Sequence, residues 1–339
     1  SIETVYCTIS GTSMTARIKM IENRFITIFC LLFLFARCSP IPPEIKTERI
    51  VRTVTTYDQT VWPTVGKALS SPFGPRQKAS EGFRYDFHRG IDIPGAVGEP
   101  IYAIADGEVY RTYTDPNTTF PNGGNVVILR HSPDKPIPFH GQNHTEYYSL
   151  YLHLDTIQVS QGDPVAQGAV IGTLGASGTT SFPHLHFEVR LGTTCSREYQ
   201  ISNPTFTCAS YFQSGHQDPH VNPFLFLPYA DRDNLTVTVI QESPLIVQVR
   251  SQPTELDFNN IRVLRGGITK AINLDQRIGI DPNNIDNNNY DGVIISPARF
   301  NTSSVSYEIT FEFSTLSGFD SIEVTDLWGK GLKMTPASP

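Results

Sequence analysis

His184-Leu185-His186-Phe187-Glu188-Val189-Arg190 alternates polar and apolar side chains over its whole length. Side chains point to opposite faces in turn along a β-strand, so the stretch predicts a strand with Leu185, Phe187, Val189 and the following Leu191 turned to a core. His184, His186, Glu188 and Arg190 then share the other face. Two imidazoles on one strand face, close to the turn-forming run from Gly175 to Ser181, point to a metal or acid-base site in preference to packing. A lone histidine carries no such weight, and the pair needs partners from elsewhere in the chain.

The chain has 339 residues, 39% of them hydrophobic, enough for a substantial core, two domains and an export segment. A formal charge of -7 without a long basic run argues against nucleic acid as the main partner. The 25 glycines and 25 prolines, interspersed with short Val/Ile/Thr/Tyr/Phe runs, predict a mainly β, turn-punctuated architecture with little helix after residue 40.

Upstream, the pattern repeats. Val159 to Gly172 is a meander whose glycines mark turns, and Tyr147 to Leu154 alternates with Ser149, Tyr151 and His153 on one side and three leucines on the other. His131, His140 and His144 fall in or beside a polar, proline-containing stretch and are expected to be exposed loop histidines. Asn125 to Arg130 reads as a strand. Ile101 to Ala105 and Glu108 to Arg111 flank Asp106-Gly107, a two-residue hairpin signal. In Phe87-His88-Arg89-Gly90-Ile91-Asp92-Ile93-Pro94 the glycine and proline oppose a helix, and on an extended chain the even offset from His88 to Asp92 brings imidazole and carboxylate to one face, where both can reach a single cation.

His88-x3-Asp92, Tyr151-Leu-His153-Leu, Gly168-x2-Ile-Gly172 and His184-Leu-His186-Phe-Glu, in this order, resemble the lysostaphin/LytM-type zinc endopeptidases of peptidase family M23, over residues 64 to 192. The resemblance implies an antiparallel β-sheet domain of the LytM, duplicated-hybrid-motif kind. It implies one zinc ion per chain held by His88, Asp92 and His186, with an open fourth position and bound water whose pKa falls towards about 7. It further implies that His153 and His184 act as general base and oxyanion stabiliser, with the division between them open, and that the substrate is a stem or cross-link peptide of peptidoglycan. Some relatives have lost ligands and only activate other hydrolases. Here all five positions are filled, which favours catalysis over a non-catalytic wall-binding or amidase-activating module. Glu188 either orients a ligand imidazole from behind or is a solvated strand charge. A biotinyl- or lipoyl-like carrier reading of Gly162 to Gly168 finds no lysine at a hairpin tip.

The flanks complete the expected organisation: 1–40 an N-terminal extension and export signal, 41–63 a linker, 64–230 the metallopeptidase domain with an insertion at 193–220, and 231–339 an immunoglobulin-like β-sandwich. The apolar run Phe25 to Ala36, preceded by Lys19 and Arg24, reads as an export segment too short for a bilayer span of about 20 residues. Cys38 behind it resembles the lipid-attachment cysteine of bacterial lipoproteins, from which Arg37 departs; lipidated attachment to a membrane and simple secretion both remain open, each placing the chain in the cell envelope or outside the cell. Cys195 and Cys208, the cysteines left in an exported mature chain, suggest a disulfide that would stabilise by roughly 3 kcal/mol. Val221-Asn222-Pro223 matches the family's closing segment, whereas His216 and His220 make a poor second metal site because Pro219 interrupts them. Leu235–Ile240, Leu245–Arg250, Ile261–Leu264, Val305–Phe313 and Ser321–Asp326 read as sandwich strands, and Asp281 to Gly292 as a polar loop.

Overall fold

The computed structural model describes residues 2–9, 12–19, 37–40, 44–52, 57, 60–78, 84–114, 123–139, 141–192, 219–228, 235–251, 258–274, 288–303 and 306–337. They divide into two compact units, 1–46 with 335–339, and 47–334. The first contains a three-stranded antiparallel sheet in the order Thr12–Lys19, Ile2–Ile9, Arg37–Pro40. The apolar core of the expected export signal lies outside the described residues, as do Cys195, Cys208, His140 and His216; of Cys38 only its place in a strand is described. Among the described residues no helix is long and apolar enough to cross a membrane. Among the described residues one 3₁₀ turn, Pro223–Leu225, interrupts an otherwise antiparallel β architecture.

In the second unit a nine-stranded sheet carries the motif residues. Its order is Pro164–Val165, Gly107–Tyr113, Asn125–His131, Tyr147–Ile157, Val170–Leu174, Pro100–Tyr102. His184–Arg190 joins as a branch, pairing with Tyr148 to Leu152 on one edge, and on the other with Ile91–Pro94 and His220–Val221. The 147–157 strand therefore changes partner along its length: residues 148–152 pair with 184–190, and 154–157 with 170–174. His153 stands at the fork.

Leu185, Phe187 and Val189 are fully buried, and the Phe187 ring packs 5.3 Å from Tyr151. Along 147–154 both faces are buried, so the side that carries Ser149 and Tyr151, whose hydroxyls meet at 3.1 Å, packs inside the protein. His131, expected to be exposed, is buried at 1% at the end of its strand. Its Nδ1–H donates to the Asp106 carbonyl at 2.9 Å, its Nε2 lies 2.7 Å from Ser149 Oγ, and its ring stacks on Tyr147 at 4.7 Å. Nor is Asp106-Gly107 a hairpin: 100–102 pairs with 170–174, and 107–113 with 125–131. Gly107 serves close approach, since a Cβ there would stand 2.5 Å from the Arg130 carbonyl and 2.8 Å from the His131 ring.

A six-stranded and a five-stranded antiparallel sheet follow, including all five strands expected after residue 231. They pack face to face through Phe258 and Phe311, whose rings are 5.2 Å apart. Part of the expected polar loop at 281–292 is instead a hairpin, Asn289–Tyr290 against Val293–Ile295, turning on Asp291 (φ 48°) and Gly292 (φ 77°). Positive φ at both central residues is what a two-residue hairpin requires. Within the stretch expected as a linker, Ile45–Val51 lies at the edge of the five-stranded sheet, and Trp62 donates to the Pro228 carbonyl. The hairpin Gly74–Lys78/Arg84–His88 leads into the site, and its Pro75 carbonyl accepts from Ala298 N–H at 2.9 Å.

Candidate metal centre

Register assembles the site. In the pairing of 91–94 with 184–187, His186 stands directly opposite Asp92, and opposed residues of an antiparallel pair point to the same face. His88, at the end of the preceding strand, closes the triangle. Its Nε2 is 3.0 Å from His186 Nδ1 and 3.2 Å from Asp92 Oδ1, and His186 Nδ1 is 2.8 Å from Asp92 Oδ1. Ligand atoms of a tetrahedral zinc site, each about 2.0–2.1 Å from the ion, stand about 3.3 Å from one another, so this triangle has the size to hold one. Among the described residues it is the group of His, Cys, Asp and Glu side chains close enough to share an ion.

Each imidazole has one nitrogen committed to an oxygen that accepts. His88 Nδ1–H donates to the Pro72 carbonyl at 2.8 Å, His153 Nδ1–H to the Ser177 carbonyl at 2.8 Å, and His184 Nδ1–H to the Phe182 carbonyl at 3.0 Å. His186 Nε2–H donates to Glu188 Oε1 at 2.9 Å. A carbonyl or carboxylate cannot donate, so each neutral ring keeps its lone pair on the other nitrogen: Nε2 of His88, His153 and His184, and Nδ1 of His186. His88 Nε2 and His186 Nδ1 face Asp92 Oδ1, and His184 Nε2 lies 3.6 Å from the same oxygen. The donor set suits a cation.

Ordinary alternation would turn His153 away, because its neighbour Leu152 is the residue opposite His186. A bulge prevents this. Between the pairs Asn125↔Leu154 and Val127↔Tyr151 two residues of one strand oppose one of the other, and His153 takes φ 64°. The ring thereby reaches 4.8 Å from His184 and 6.2 Å from His186, centre to centre.

Charge around the triangle is strongly organised. Burial would raise the Asp92 carboxyl, but His88 and His186 outweigh it and hold it well below the usual carboxylate range. Burial lowers His186, yet its bonds to Asp92 and Glu188 raise it to about 9. His153 is lowered to about 4 by burial and by His186 and His184, so it is neutral at pH 7. His88 is lowered by burial.

Two residues escaped the sequence reading. Arg76 Nη1 donates to Asp92 Oδ2 at 3.1 Å while its Nε donates to Asp86 Oδ2 at 2.9 Å, so Asp92 keeps Oδ1 for the centre. His220 Nε2 lies 3.3 Å from Glu188 Oε2. Only the even spacing from Arg76 to Asp86 and the position of His220 beside Val221-Asn222-Pro223 offered a hint. Glu188 and Arg190 are buried, which excludes a solvated strand charge.

Residues 86–197 match peptidase family M23. Among curated relatives, the peptidoglycan DD-endopeptidase ShyC of Vibrio cholerae is 37% identical over 123 residues, covering 36% of this chain and 24% of the relative. The murein hydrolase activator NlpD of Escherichia coli is 37% identical over 129 residues, covering 38% of this chain and 27% of the relative. The match thus spans about a quarter of the length of these relatives. Among solved structures, a zinc-containing peptidase from Vibrio cholerae is 29% identical with a TM-score of 0.31, covering 41% of this chain and 37% of that one. The catalytic domain of lysostaphin from Staphylococcus simulans is 24% identical with a TM-score of 0.31, covering 47% and 91%. Residues 86–197 of this chain are thus similar to the M23 peptidases.

Proposed function

We propose that the chain is an exported zinc-dependent endopeptidase that cleaves stem or cross-link peptides of peptidoglycan. The observation that carries this is the gathering of four imidazoles about one carboxylate: His88, His186 and His184 each place a ring nitrogen within 3.6 Å of Asp92 Oδ1, and His153 reaches the site only through a bulge. An activator needs no such set. In this reading His88, Asp92 and His186 hold zinc, which when bound supplies Lewis-acid chemistry. His153, neutral and with Nε2 free, accepts the proton of the attacking water. His184, whose Nδ1–H is held by the Phe182 carbonyl and whose Nε2 lies towards Asp92, can donate from Nε2 to the oxygen that gains charge only once its ring has taken up a second proton.

Zinc-dependent release of soluble muropeptides from purified sacculi, abolished by a chelator and restored by zinc, is the expected result. Wall binding without cleavage in either state would support the second reading, a non-catalytic wall-binding or hydrolase-activating module, which the NlpD likeness favours. The same proposal places residues 1–40 as an export segment with Cys38 as its lipidation site, pairs Cys195 with Cys208 in the insertion 193–220, and takes 231–339 as an immunoglobulin-like sandwich that acts as spacer or wall-binding module. It locates the protein in the cell envelope.

A further inference from the structure

His186 Nε2, the nitrogen turned away from the centre, meets Glu188 Oε1 at 2.9 Å. The other oxygen of that carboxylate, Oε2, accepts from Arg190 Nε at 2.9 Å and Nη2 at 2.6 Å, and lies 3.3 Å from His220 Nε2. Glu188, Arg190 and His220 are all buried. Glu188 and Arg190 follow His186 at alternate positions of one strand, and His220 arrives on the strand His220–Val221, where it stands opposite Arg190. Neither Arg190 nor His220 belongs to the group that converges on Asp92 closely enough to share a metal.

We propose that Glu188, gripped by Arg190 and His220, is the positioning group for His186, and that His220 thereby makes the end of the 193–220 insertion part of the metal centre's support. This rests on the zinc reading above. A carboxylate that accepts from the remote nitrogen of a histidine ligand fixes its tautomer and ring plane, and removal of such a partner typically costs about 10- to 100-fold in metal affinity. Arg190 and His220 both meet Oε2, while Oε1 accepts from His186.

The test measures zinc affinity of the full chain by competition with a chromophoric chelator, the visible spectrum of the cobalt-substituted protein, and sacculus cleavage, for wild type, Glu188→Gln, Glu188→Ala, His220→Leu and His220→Gln. Glu188→Ala is expected to weaken zinc about 10- to 100-fold and to shift the cobalt bands. If that variant does not fold, His220→Leu and His220→Gln decide: the first is expected to weaken zinc several-fold with a near-normal melting temperature of the zinc-free protein, and the second, which can still donate to Oε2, to restore affinity to within about threefold. Wild-type zinc affinity and cobalt spectrum in folded Glu188→Gln and His220→Leu would overturn the proposal. A wild-type chain that binds zinc tightly but cleaves no wall would overturn the endopeptidase reading and leave this inference standing.

Discussion

His153 reaches the centre at a backbone cost. A non-glycine residue at φ 64° stores about 1–3 kcal/mol of strain, which neighbouring bonds must hold in place. Its N–H donates to the Gly123 carbonyl at 2.8 Å and its Nδ1–H to Ser177, so the loop before 125 and the loop after 175 both clamp it. His153→Ala is therefore expected to retain zinc and to lose about 10²- to 10⁴-fold in turnover, whereas His186→Ala is expected to lose the metal itself. Zinc content of the two purified variants, measured beside their cleavage rates, separates these roles; a His153→Ala enzyme with near-normal rates would refute the base assignment. His131 makes a different prediction. Burial lowers it to about 4, below the unfolded value near 6.5, so the unfolded chain binds the proton first. Its contribution is present above about pH 6.5 and is lost as pH falls towards 4, by roughly 3 kcal/mol in all. Urea midpoints of zinc-free protein at pH 7 and pH 4.5 should differ less in His131→Gln than in wild type.

At the scale of the element, the strand 184–190 was the most legible part of the chain, because its period of two is unbroken and one face is wholly apolar. What pairs with it was not legible. Its fit against residues 88–92 depends on Gly90, where a Cβ would stand 2.4 Å from the Phe187 carbonyl, 3.0 Å from Glu188 Cγ and 3.1 Å from His186 Nε2. Gly90→Ala is expected to push the two strands apart, lowering the melting temperature and weakening zinc binding together; a folded Gly90→Ala chain with wild-type zinc affinity would show that this closeness is not needed. Turn chemistry misled in an instructive way. Asp106-Gly107 and Asp291-Gly292 are the same dipeptide, yet only the second turns a hairpin. Gly107 is small because His131 and Arg130 crowd it, a tertiary demand with no local signature. His131 itself was misread for the same reason: its partners, a backbone carbonyl and a serine hydroxyl, leave no mark in a pattern of charges.

Across the whole molecule, the antiparallel β class and the five centre residues could be read from ordered motifs, since each motif sits on a strand whose faces are fixed by alternation. Arg76 and His220 could not, because they act through Asp92 and Glu188 across strand boundaries that only the fold creates. The edge strand Ile45–Val51 and the docking of Trp62 were equally hidden, the surrounding sequence lacking any clear alternation. A centre spread over several strands should couple metal to global stability. With free zinc at about 100 times its dissociation constant, the chain is expected to gain about 2.7 kcal/mol over the zinc-free protein, and a denaturation midpoint unmoved by chelator would contradict a metal bound in this fold.

The pairing of 91–94 with 184–187, which sets Asp92 against His186, joins segments separated by most of the M23-like region. Contacts so distant along the chain form slowly, because the intervening chain must be closed before they stabilise anything. The ligand set is thus a late product of folding and no template for it, and a newly made chain passes through compact states that have no competent place for zinc. In refolding followed by a zinc-sensitive signal, that signal should rise with the slowest structural phase and keep its rate when zinc is supplied in excess from the start.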